Sequence, residues 1–204
     1  WRGALRGGAP TTVSPSEAPS AAPRAAPTVC SFVPANKTEL QAALAGWDAD
    51  ATSAADTYCA AVGTWDVTAV TNFEALLQDL ANFDEDLSGW DTGQVTTLRY
   101  TFSGSAFNHP LDWDTSIVST LYATFYVNAA FDKPLAFDVG SVLEMDYMFE
   151  AATMFNNPLA FDSASVTEID NMFKGASAFN QRLDFDVSRV TDMNNMFDSA
   201  EAFS

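Results

Sequence analysis

The chain has 204 residues, 48% of them apolar and sixteen of them Phe, with 27 acidic against 9 basic residues and a formal net charge of −18. That apolar content suffices for one sizeable core and excludes a disordered chain. An acid excess of this size excludes a phosphate backbone as partner, which needs Lys and Arg to displace counterions, and no run of about 18 apolar residues is present to span a membrane. The acidity reads as a solvated surface, with cation binding as its specific use.

Residues 1–30 carry Pro10, Pro15, Pro19, Pro23 and Pro27 among Ala, Ser, Thr and Gly, with little to bury. They read as a Pro/Ala-rich disordered linker or stalk. The chain begins with Trp1 rather than Met and stops at Phe203-Ser204, where another repeat would start, so a signal or anchor is expected outside it. Cys30 and Cys59 leave two readings open, free buried thiols or a disulfide that staples the repeat array's end; such a loop closure stabilises by roughly 3 kcal/mol. With no CxxC and a single His, no metal site is expected.

From residue 65 the chain repeats. Phe83, Phe107, Phe131, Phe155, Phe179 and Phe203 are 24 residues apart, as are Leu87, Leu111, Leu135, Leu159 and Leu183. Aromatic-Asp pairs follow each Leu: Trp90-Asp91, Trp113-Asp114, Phe137-Asp138, Phe161-Asp162 and Phe185-Asp186, with Trp65-Asp66 opening the series. A fixed period of this kind means stacked copies of one unit, each shielding its apolar side against the next.

Each unit changes character halfway. After the aromatic-Asp pair, apolar residues stand at offsets 0, 3 and 7, as in Val142, Met145 and Phe149, with a small or polar residue at 10, as in Ala152. This spacing predicts a helical half, and Ser141 with Glu144, like Ser165 with Glu168, reads as a capping box. Segments such as Pro110-Leu111-Asp112-Trp113 alternate and predict a short strand whose proline sits at its start. The expected fold is therefore α/β: a right-handed leucine-rich-repeat-like solenoid of about six 24-residue strand-helix repeats over residues 65–204, with an all-strand β-helix as the rival.

Val190-Thr191-Asp192-Met193-Asn194-Asn195-Met196-Phe197, with Ala200, Phe203, Phe155-Asn156 and Trp113-Asp114, resembles the BspA-like (DUF285) surface-protein repeats over about residues 32–204. Lys37-Thr38-Glu39-Leu40 through Trp47 looks like that family's helical lead-in, so residues 31–64 are expected to form a helical N-terminal cap. The first two units depart from the pattern, with Phe73-Glu74-Ala75-Leu76-Leu77 in place of the Met-rich stretch. The resemblance implies a cell-surface or secreted adhesion or ligand-binding protein, and brings no catalytic residues with it.

His109 shares its column with Glu85, Lys133, Asn157 and Gln181, as an unconstrained solvent position does, and no enzyme activity is expected. The aspartates of the aromatic-Asp pairs recur in every unit, which favours turn bonding over a unique acid-base pair, though a structural calcium between stacked carboxylates is left open. The outward strand residues Asp112, Ala136, Ala160 and Asp184, with Arg182 in the proline column, are the candidate binding face. The reading is a monomeric, non-enzymatic recognition module for a protein or cell-surface ligand, extracellular or at the cell surface. The alternatives are a spacer without its own ligand or an acidic hydrolase.

Overall fold

The computed structural model describes residues 32–58 and 61–204. Helix α1, Lys37–Ala49, starts at Asn36, whose side chain accepts from the Glu39 amide, while the Glu39 carboxylate accepts from the Ala35 amide. The reciprocal bonds satisfy amides that a helix start leaves unpaired. Leu40, Ala43, Leu44 and Trp47 make one buried stripe at helical spacing. This stripe covers the first coil of the repeats, where Gln41 Nε2 donates to the Ala75 carbonyl and Trp47 Nε1 to Glu85 Oε1 at 2.9 Å. Helix α2, Ala51–Tyr58, follows after Asp50, whose carboxylate accepts from the Thr52 and Ser53 amides.

The expected α/β strand-helix solenoid is not what forms. Beyond the two helices and one short 3₁₀ turn at Val62–Thr64, the described residues hold no helix and no strand, so the fold is not α/β. The half-repeats read as helical are runs of β-turns. In one of them the Leu121, Ala123, Phe125 and Val127 amides donate forward to the carbonyls of Glu144, Asp146, Met148 and Glu150 in the next coil. The intervening Thr124, Tyr126 and Asn128 amides donate back three residues. An α-helix would send every amide back four residues, so this alternation excludes it.

Left-handed residues impose the alternation. They recur four apart within each run, at Tyr100 and Gly104, Ala123 and Val127, Tyr147 and Ala151, and Asn171 and Gly175, at the third turn position that needs a positive φ in a type II turn. A helix tolerates no such residue, whereas a stack of coils recovers the freed amides between neighbours. The expected capping boxes go with the helices: the Ser141 hydroxyl donates to the Ser116 carbonyl, and Glu144 and Glu168 sit in parallel bridges between coils. The half-repeats read as strands contribute a single isolated bridge, Leu111 with Leu135.

The core is a double file of rings. Phe102, Phe125, Phe149, Phe173 and Phe197 stack at 5.2 to 5.6 Å between centroids. Beside them Phe107, Phe131, Phe155, Phe179 and Phe203 stack at 6.0 to 6.3 Å. The two files touch within every coil, for example Phe149 with Phe155 at 4.0 Å. Indole nitrogens close the far side, with Trp90 Nε1 donating to the Val62 carbonyl and Trp113 Nε1 to that of Leu87.

Candidate functional site

The turn runs lay equivalent residues side by side on the surface. One row passes through Glu74, Arg99, Tyr122, Asp146 and Asp170, because cross-coil bonds align these positions. From that row the Tyr122 ring packs on Tyr100 and Tyr147 of the adjoining column, at 5.4 and 5.3 Å, and all three rings are half-buried. Their left-handed or turn backbone points long polar side chains outward while Leu121, Met145 and Ile169 between them point into the core.

Tyr122, Asp146, Tyr147, Glu168, Asp170 and Asp192 line a cleft of about 450 Å³. Asp146 is only 5% exposed; its Oδ1 accepts from the Asp170 amide at 2.7 Å. Burial, with Glu168, Asp170 and Glu144 adding like charge, pushes its carboxyl up to about 6. Asp170 moves the same way, by burial and the nearby Asp192, and its Oδ1 is buried without a hydrogen-bond partner among the described residues. Burial first, then the Tyr100 hydroxyl, pushes Tyr122 up to about 12. At the edge of this cleft the Arg99 guanidinium lies 3.7 Å from the centre of the Tyr122 ring, with Glu74 at 3.9 Å and Glu144 at 3.8 Å.

The residues expected to bind lie elsewhere. Asp112, Ala136, Ala160 and Asp184 are exposed in one file 24 residues apart. Arg182 reaches Asp184, with Nε at 2.8 Å and a terminal nitrogen at 2.7 Å, an exposed pair of little energetic weight. None of these five lines the cleft formed by Tyr122, Asp146 and Asp170. Cys30 and Cys59 lie outside the described residues. His109 stands over Asp84, 3.0 Å from its carbonyl and 3.4 Å from its carboxylate.

Five of the six aspartates considered for calcium have partners of their own. Asp66, Asp91, Asp114, Asp138 and Asp186 each accept from the amide two residues on, in Asx turns. Hydrogen bonds from Thr68, Ser116 and Ser188 hold Asp66, Asp114 and Asp186 below the usual carboxylate range. Among the described residues no group of three or more His, Cys, Asp or Glu side chains stands where it could hold a metal ion.

Sequence reading missed Tyr122, Asp146, Tyr147 and Asp170 because on a helix they fall on the solvated face. The available signal was Gly104 and Gly175, which sit inside the supposed helices in the column that Val127 and Ala151 share.

Among the described residues no helix is long and apolar enough to cross a membrane. No curated protein and no solved structure matches the chain. The family described as "Mycoplasma protein of unknown function, DUF285" matches it over residues 47–136 and again over 106–204. Those two overlapping matches take in well over half of the sequence and all of the turn-built coils, and the chain belongs to the DUF285 family.

Proposed function

We propose that this chain is a non-enzymatic recognition module of a cell-surface or secreted protein. The observation that carries the reading is the file of Tyr100, Tyr122 and Tyr147 laid against Asp146 and Asp170 along successive coils. Rings that are half buried and half presented, next to carboxylates, are costly to expose without a partner and supply both contact area and polarity at an interface. A spacer needs only the interior columns and has no use for such a row.

The hydrolase alternative requires two carboxyls with opposed environments, one held protonated and one ionised. Asp146 and Asp170 are both pushed upward, burial leading in each and nearby carboxylates adding to it, so they do not divide those roles.

The test is binding of the purified chain to arrays of extracellular proteins and glycans and to whole cells. Saturable capture, reduced by Tyr122→Ala, is expected. A folded chain that captures nothing at any concentration returns the molecule to the spacer reading.

A further inference from the structure

The row Glu74, Arg99, Tyr122, Asp146, Asp170 holds one cation and has the fittings for another. Arg99 occupies its first part, stacked on Tyr122 between Glu74 and Glu144. Tyr122 also lines the adjoining cleft, where Tyr147, Asp146, Glu168, Asp170 and Asp192 meet and, among the described residues, no basic side chain lines it. Asp146 is 5% exposed, and its Oδ1 accepts from the Asp170 amide. Asp170 Oδ1 is buried and has no donor among the described residues. A buried carboxylate oxygen without a donor carries its full desolvation cost, so the donor missing at Asp170 Oδ1 is to be sought in a ligand.

The chemistry of the cleft selects among cations. A metal ion wants several oxygens converging on one point, and no such group is present among the described residues. A guanidinium instead offers a flat face for a ring and several donors spread in a plane, as Arg99 does one step away. An ammonium presents a compact point charge and gains less from Tyr122. The chain's net charge of −18 draws in a basic partner from a distance.

We propose that the cleft between Tyr122, Asp146, Tyr147 and Asp170 binds an arginine side chain presented by a basic segment of a partner protein. This rests on the recognition reading above and names its ligand.

The probe is hexa-arginine amide, titrated calorimetrically into the whole chain, with hexa-lysine amide of the same charge alongside. Hexa-arginine binds more tightly, and Asp146→Asn with Asp170→Asn weakens it by at least about tenfold, the order seen when a partly desolvated charge pair loses one member. Asp56→Asn with Glu201→Gln, which removes the same charge from exposed positions elsewhere, changes it by less than about twofold. Should the double variant fail to fold, the exposed Asp192→Asn gives the same comparison with a smaller loss. Equal affinity for the two peptides, equal losses in the cleft and control variants, or no saturable binding overturns the proposal. So does a calcium-induced rise in melting temperature that vanishes in Asp146→Asn. A chain that captures an array ligand but fails these peptide tests remains a recognition module with a different ligand.

Discussion

Phe149 and Phe173 lie face to face across two coils, their centroids 5.5 Å apart and their planes 5° from parallel. Both are fully buried, and each also stacks at 4.0 Å on the partner ring of its own coil, Phe155 or Phe179. Every coil thus shares its core with two neighbours, and a fault in one is felt by both. Phe149→Ala is expected to destabilise the chain by about 3 to 5 kcal/mol, the cost of a large buried ring plus its cavity. Urea unfolding checks it, and a loss below about 1 kcal/mol would mean that the ring file contributes little to the core.

A second ladder runs outside the rings. The Asn108 amide donates to Asp84, that of Asp132 to Asn108, that of Asn156 to Asp132 and that of Asn180 to Asn156, each at 2.8 to 3.0 Å. Asp132 also accepts from Asn157 Nδ2 at 2.6 Å. Asp132→Ala deletes both acceptor bonds at an exposed position and should cost about 1 to 2 kcal/mol, whereas Asp132→Asn keeps an acceptor and should cost less than half of that. Thermal melts of the two variants separate a ladder from a merely solvated aspartate, for which the two would melt alike.

The pH response of the cleft has a definite sign. Burial raises Asp146 from an ordinary value of 3.8 to about 6, so the folded chain holds a proton that the unfolded chain has released between those values. Stability therefore falls as pH rises through that window, and the loss is complete above it. Glu168, Asp170 and Glu144 face the same group and reinforce the effect. Asp66, Asp114 and Asp186, held low by their turns, act in the opposite direction and only below the ordinary carboxylate value. Asp146→Asn is expected to remove most of the difference between melts at about pH 5 and about pH 7.5. An unaltered difference in the variant would place the titration elsewhere.

The 24-residue period was legible because it is written in large buried side chains, and Phe107 through Phe203 align in space as they do in sequence. The local backbone was not, because offsets of 0, 3 and 7 arise equally from a helical stripe and from a run of turns whose alternate amides reach back three residues. What distinguishes the two is the left-handed residue, and Tyr100, Val127 and Tyr147 give no hint of one. The strand half misled in the same way, since alternation of Leu111, Trp113 and Thr115 records inward pointing but not a ladder of pairs, and of the three Leu111 alone forms a bridge, with Leu135. The cleft depended on this backbone, so Asp146 and Asp170 were invisible as a site while Asp112 and Asp184, which do not line it, were visible as outward residues.

Val127 brings that hidden conformation to a test. Its φ is 56°, in the left-handed region where a β-branched side chain crowds its own backbone, and the equivalent places in neighbouring coils are held by Gly104, Ala151 and Gly175. The side chain is 45% exposed, so little burial is lost by removing it. Relief of the left-handed penalty is worth about 1 to 2 kcal/mol, against about 0.4 to 1 kcal/mol for the extra freedom glycine gives the unfolded chain. Val127→Gly should then stabilise by roughly 0.5 to 1 kcal/mol, and Gly175→Val should destabilise by more, since that column already has its preferred residue there. In a helix the order would reverse, because glycine costs about 1 kcal/mol in a helical interior. A lower melting temperature for Val127→Gly would therefore argue for the helix and against the stacked turns.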